Sequence, residues 1–315
     1  MTERSTKLGI NAEANIIVNE SVEGSAVNST LRWWQILNPA IYLISILPAI
    51  VVVLLSGQST LWMSGLVVST LAVVLLQHAI NLFNDVSDWD RGADVEKMDS
   101  WVRLFEGDTR PVQLQALISF VSGGLIGLAV LFYCQKLWIV YFSLPLICLG
   151  YLYNAGKSPL SYTWMGEWVT GICYGGVFLG LWLVAGLAAD ISALIGTVAI
   201  GALAMSLLLS HQSPQLETDR NVGKQSFCVR YGKKKTQQFS IGLFSLSLML
   251  ISMGTISSSM ETTLQYVVLL IIVLFSFYLF KVGPNPKRIL IISSVLVLGM
   301  SLLFVFSQHH QVIIV

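Results

Sequence analysis

Residues 62–94 read WMSGLVVSTLAVVLLQHAINLFNDVSDWDRGAD, and this stretch decides the fold. From Trp62 to Asn84 it carries no formal charge, and from Asp85 to Asp94 it carries four aspartates and an arginine. A run of about 20 apolar residues is the length needed to cross the hydrocarbon core of a bilayer as a helix. The stretch therefore reads as a transmembrane helix that breaks abruptly into acidic chemistry at one membrane face.

Working outward, the same pattern recurs. Nine spans are expected, at 36–55, 62–83, 112–133, 137–155, 165–187, 191–210, 238–257, 263–280 and 288–307. The chain is 55% hydrophobic and 11% charged, with mean hydropathy +0.73. Soluble domains carry about 25% charged residues, so a soluble globular class is excluded. The net charge of +1 leaves no basic footprint for nucleic acid. The four cysteines, Cys134, Cys148, Cys173 and Cys228, form no CxxC pair and read as small buried hydrophobes. Residues 1–30 are polar and lack the apolar core of an export signal, so they read as a disordered tail ahead of a transmembrane domain over 31–315.

Charge placement tests the topology. With nine spans, 17 of the 18 Lys and Arg residues fall on the N-terminal side of the membrane and only Lys136 falls opposite. Positive residues collect on the cytoplasmic face. The expected architecture is an all-α polytopic bundle of nine transmembrane helices in the cell (inner) membrane, N-terminus cytoplasmic. Its two long loops, 84–111 and 211–237, share that face and hold ten of the 17 acidic residues.

In the first loop, Asn81, Asn84, Asp85 and Asp88 are spaced to share one side of a helix. Two amides and two carboxylates make an oxygen-rich wall of the kind Mg²⁺ prefers. Gly92 can turn the chain so that Asp94 faces back, and Arg91 and Lys97 could bind phosphate oxygens. The alternative is a solvated acidic helix end. The second loop offers Glu217 and Asp219, followed by Arg220, Lys224 and Arg230. Alone it reads equally as a salt-laced loop. Two acidic clusters on one face could instead each hold a divalent ion and clamp one diphosphate.

Asn81-x-x-Asn84-Asp85-x-x-Asp88-x-x-x-Gly92-x-Asp94, Tyr153-x-x-Gly156-x-x-Pro159-Leu160-x-Tyr162-x-x-x-Gly166-Glu167 and Glu217-x-Asp219-Arg220-x-x-Gly223-Lys224-x-x-x-x-Val229-Arg230-x-Gly232 resemble three signatures of the UbiA superfamily of intramembrane prenyltransferases. The spacing is similar to that of the 1,4-dihydroxy-2-naphthoate branch of menaquinone synthesis. The chain departs from the pattern at Asn38, where the family usually has arginine, and at Gln215, where its second motif usually opens with aspartate.

The resemblance implies a Mg²⁺-dependent transferase that moves a prenyl group from an allylic prenyl diphosphate to an aromatic acceptor. It implies Asp85, Asp88, Asp94, Glu217 and Asp219 as metal ligands, with Asp85, Asp88 and Asp219 catalytic. Asn81, Asn84, Arg91, Lys97, Tyr153, Lys224 and Arg230 would contact substrate. Tyr153, Tyr162 and Trp164 are candidates to shelter an allylic cation. The expected partners are the two small-molecule substrates and membrane lipid, with no nucleic acid and no obligate protein partner. Other acceptors (4-hydroxybenzoate, homogentisate, a specialised aromatic), a non-catalytic relative and a transporter are the competing readings. His78 and Glu167 are each open between a functional and a structural role.

Overall fold

The structure, a computed structural model, describes residues 36–57, 61–93, 100–156, 158–256 and 262–313. The expected tail, Asp94 and Lys97 lie outside these residues. Every regular element among them is helical: α1 (Pro39–Ser56, opening on a 3₁₀ turn), α2 (Met63–Asp90), α3 (Trp101–Leu104), α4 (Arg110–Tyr133), α5 (Leu137–Asn154, also opening on a 3₁₀ turn), α6 (Gly166–Val184), α7 (Ile191–Gln212), α8 (Leu216–Asn221), α9 (Phe227–Tyr231), α10 (Lys233–Ile256), α11 (Thr262–Val282) and α12 (Pro286–Ile313). A short 3₁₀ turn, Leu160–Tyr162, precedes α6.

Among the described residues, α1, α2, α4, α5, α6, α7, α10 and α12 are long and apolar enough to cross a membrane. The remaining expected span, 263–280, falls on α11, whose apolar part Tyr266–Val282 is shorter. Three boundaries differ from expectation, one of them the end of α12, which runs past 307 to Ile313. Helix α2 runs on to Asp90, so Asn84, Asp85 and Asp88 are helical and not part of a loop. Helix α10 starts at Lys233, taking three lysines into its first turn.

The core lies where α1, α6, α7, α10 and α12 meet, around Leu47, Phe178, Trp182, Leu203, Phe244 and Val297. Large apolar side chains such as Val67, Leu71, Leu125, Leu270 and Leu274 are more than half exposed. In a bilayer that surface meets lipid, so burial contributes little and close packing must hold the helices together. Helices α6 and α7 approach to the limit: a Cβ on Gly201 would stand 2.7 Å from the Gly171 carbonyl oxygen. Helices α2 and α4 do the same, a Cβ on Gly123 reaching within 2.9 Å of the Ala72 carbonyl oxygen. Of the cysteines, only Cys228 is buried; Cys148 is exposed, because α5 turns that side outward.

Candidate active site

The two acidic segments meet at one end of the bundle. They line a cavity of about 60 Å³ with Asn84, Asp88, Tyr153, Ser161, Glu167, His211, Gln212, Gln215, Asp219 and Lys224. Its wall is written in helical periodicity. Asn84 and Asp88 are one turn apart on α2, and Leu208, Gln212, Gln215 and Asp219 recur at steps of three and four from α7 into α8.

Two carboxylates face each other across the cavity. Asp88 Oδ1 accepts from the Tyr162 hydroxyl at 2.8 Å, and its Oδ2 accepts from Asn84 Nδ2 at 2.9 Å. Asp219 Oδ2 accepts from Ser226 Oγ at 3.0 Å. Between them stands Lys224, its Nζ 3.7 Å from Asp88 Oδ2 and 3.7 Å from Asp219 Oδ1, with 14% of its side chain exposed. Burial pushes the Asp219 carboxyl above the ordinary aspartate range, against the pull of Lys224 and the Ser226 hydrogen bond. Lys224 Nζ also lies 5.0 Å from the Tyr162 ring centroid, and the Arg91 guanidinium 5.1 Å from the same centroid. Arg91 is held there by the Ser87 carbonyl at 2.9 Å and the Gly156 carbonyl at 2.8 Å. Tyr162, a candidate to shelter an allylic cation, gathers two cations and orients Asp88.

The other expected ligands are placed differently. Asp85 lies one residue, about 100°, round α2 from Asn84. Its Oδ2 accepts from Ser100 Oγ and from the Val102 backbone N–H, both at 3.0 Å. A short helix leaves its first N–H groups unsatisfied, and Asp85 serves those of α3. Glu217 is two residues before Asp219 on α8, on the opposite side of the helix. Its side chain is 69% exposed and pairs with Arg220 at 3.2 Å, so the structure does not bring it to the cavity. Arg230 also lies off the cavity wall, 3.5 Å from Glu167 Oε2 and over the rings of Phe227 and Tyr231. Asn81 is half-buried on α2, a turn before Asn84, and does not line the cavity. Tyr153 does line it, from the end of α5.

Residues weighed only lightly from sequence organise the site. Glu167 Oε1 accepts from Gln212 Nε2 at 2.9 Å and from the Phe227 N–H at 2.6 Å. Gln212 Oε1 accepts from the Cys228 N–H at 3.3 Å. Side chains from α6 and α7 thus satisfy the start of α9 and fix the segment carrying Ser226. The sequence marks Glu167 in two ways, as the last residue of the Tyr153–Glu167 signature and as a carboxylate at a helix start, a position that favours negative charge for purely local reasons. His78 is held through both ring nitrogens: Tyr42 Oη lies 2.6 Å from its Nδ1 and Gln115 Nε2 lies 3.1 Å from its Nε2.

This geometry pairs with a sequence comparison. A profile described as the UbiA prenyltransferase family matches residues 45–308. The chain belongs to the UbiA prenyltransferase family. Among UbiA proteins, it is 30% identical over 194 residues to the 1,4-dihydroxy-2-naphthoate octaprenyltransferase of Mycobacterium tuberculosis, covering 60% of this chain and 65% of that one. It is 27% identical over 163 residues to the Bacillus subtilis enzyme of the same name, covering 50% and 52%. The matched regions thus span about two thirds and about half of these relatives. The 2-carboxy-1,4-naphthoquinone phytyltransferase of Synechocystis sp. is 29% identical over 226 residues, covering 69% and 71%. In three dimensions, a UbiA homolog from Archaeoglobus fulgidus bound to DMAPP and Mg²⁺ superposes with TM-score 0.61 at 15% identity, over 88% of this chain and 98% of that one. The apo UbiA homolog from Aeropyrum pernix K1 gives 0.61 at 15%, over 87% and 98%. At these identities the two structures show the shared UbiA fold.

A UbiA site implies a divalent metal. Among the described residues no group of three or more His, Cys, Asp and Glu side chains gathers as a ready-made metal site. The donors present nonetheless suit magnesium. Two carboxylates from separate elements converge on one cationic position, and the buried Ser161 Oγ on the cavity wall has no hydrogen-bond partner. Oxygen donors with one or two protein carboxylates are what a magnesium–phosphate complex uses.

Proposed function

We propose that this protein transfers a prenyl group from an allylic prenyl diphosphate to an aromatic acceptor of the 1,4-dihydroxy-2-naphthoate class, at the membrane end of the bundle. The observation that carries the reading is the convergence of Asp88 and Asp219 on one cationic position, with Arg91 and Lys224 gathered at Tyr162 beside it. The relatives' names supply the acceptor class.

Asp88 and Asp219 would hold Mg²⁺, which when bound supplies positive charge to a diphosphate. Arg91 and Lys224 add donors for the same oxygens. As the allylic C–O bond breaks, its electron pair leaves with the diphosphate, where these cations meet the growing charge. The acceptor ring carbon then donates a pair to the allylic carbon. In the naphthoate class the ring carboxylate leaves as CO₂ and its bonding pair restores the aromatic ring. The isoprenoid tail extends between helices into lipid. The same face carries 17 of the 18 Lys and Arg residues in the nine-span reading, which supports a cytoplasmic site in the inner membrane.

The test uses purified protein in detergent with Mg²⁺, geranylgeranyl or longer prenyl diphosphates, and a panel of acceptors. The panel holds 1,4-dihydroxy-2-naphthoate, 4-hydroxybenzoate and homogentisate. Prenylated naphthoquinol with CO₂ release is the expected result. Product only with another acceptor would move the reading within the family, and no diphosphate release from any pair would end it.

A further inference from the structure

Lys224 occupies the position that a divalent ion would take. Its ammonium is equidistant, at 3.7 Å, from one oxygen of Asp88 and one of Asp219, and it is shielded from solvent. Both carboxylates are buried and both have neutral donors, Tyr162 and Asn84 on one, Ser226 on the other. Those donors satisfy hydrogen bonding but do not neutralise two like charges facing each other in a poorly solvated cleft.

The backbone of Lys224 is fixed. Gly223, at φ 73° in the left-handed region, closes the end of α8, and the Lys224 N–H donates to the Asp219 carbonyl at 2.9 Å. Only the four-carbon stem is left to rotate, and its cation already lies 5.0 Å from the Tyr162 ring centroid, with the Arg91 guanidinium 5.1 Å from the same centroid.

We infer that Lys224 is a tethered counter-ion that holds Asp88 and Asp219 together in the resting protein, competes with a lone divalent ion for them, and moves onto the diphosphate when metal and diphosphate arrive together. This rests on the reading of the cavity as a metal–diphosphate site. A divalent ion alone must expel an ammonium that gains no new anionic partner. An ion that comes with diphosphate gives the displaced ammonium phosphate oxygens in exchange. Metal and diphosphate therefore bind with positive coupling, and by linkage each raises the affinity of the other by the same factor. The protein would thus resist loading with metal before substrate.

The test is Mn²⁺ binding to the detergent-solubilised full chain, read by electron paramagnetic resonance of free Mn²⁺, with and without inorganic pyrophosphate. The wild type should bind Mn²⁺ weakly alone and about tenfold more tightly with pyrophosphate, within the usual range of such couplings. Lys224→Met should bind Mn²⁺ alone about tenfold more tightly than wild type and lose most of the pyrophosphate effect. Lys224→Gln, which keeps polar contact with both carboxylates, should do the same and guards against a misfolded methionine variant. If either variant folds only in excess Mn²⁺, the ion is replacing the missing charge, as expected. Failure of both to fold even with Mn²⁺, or Mn²⁺ affinity unchanged or weaker in the folded variants, overturns the role given to Lys224. Wild-type protein that binds no Mn²⁺ with or without pyrophosphate, matching an Asp88→Asn control, instead overturns the metal–diphosphate reading itself.

Discussion

Asp85 and Asp88 are one helical turn apart, and the structure gives them different work, so substituting each in turn separates stability from chemistry. Asp85 is 6% exposed and its Oδ2 takes two hydrogen bonds of 3.0 Å, from Ser100 Oγ and Val102 N–H. Hydrogen bonds to a charged group each contribute about 1.5–3 kcal/mol. Asp85→Ala removes both and strands a backbone N–H at the start of α3. Taking the lower figure for each bond, the loss is about 3 kcal/mol, or roughly 4–5 °C in the unfolding midpoint of a chain this size. Asp85→Asn keeps an acceptor oxygen and should lose about 1 kcal/mol. Thermal unfolding in detergent measures both, and limited proteolysis near Val102 reports whether α3 has come loose. Mn²⁺ affinity in whatever fraction stays folded should change by less than threefold. An Asp85→Asn protein of wild-type stability whose Mn²⁺ affinity collapsed would refute the argument, because Asp85 would then be a ligand and not a support for α3.

Three further outcomes follow from the cavity wall. Asp88→Asn should lower prenyl transfer at least a hundredfold while expression and helical content hold, as measured by product formation and circular dichroism; near-normal turnover would remove Asp88 from the site. Gln215→Asp adds a carboxylate to the wall that Asp88, Glu167 and Asp219 share, and should tighten Mn²⁺ several-fold and lower the Mg²⁺ concentration needed for half-maximal activity. Because burial raises the Asp219 carboxyl, that group takes up its proton at a higher pH than an ordinary aspartate. Metal needs the carboxylate, so a Mn²⁺ titration against pH should show affinity falling as pH drops, beginning above the usual aspartate value, and the fall should be smaller in Asp219→Asn.

Much of the fold was legible because a bilayer imposes a simple code. Apolar runs of the right length became helices, and of the residues that the resemblance implies at one site, Asp88, Asp219 and Lys224 line one cavity. Residues that the structure places away from the cavity lie there for local geometric reasons. Glu217 and Asp219 read as a pair in a loop; once α8 forms, two residues of separation send them to opposite sides. Asn84 and Asp85 read as one polar face, but a 100° step is enough for α3 to claim Asp85, and the four-residue helix Trp101–Leu104 has no periodicity to reveal itself. Arg230 matched a motif tail, and only tertiary contact shows its guanidinium turned to Glu167. The tally of 17 positive residues to one orders the loops by side but says nothing of which carboxylates converge.

The Glu167–Gln212 clamp on α9 bears on how this protein could be re-engineered. A designer who grafted residues 216–232 from a relative, hoping to exchange one diphosphate end for another, would import Asp219, Lys224 and Ser226 but leave their moorings behind on α6 and α7. The smallest transplantable unit is discontinuous. It comprises the segment together with positions 167 and 212, and a chimera made at loop boundaries alone would seat its new lysine on an unanchored hinge.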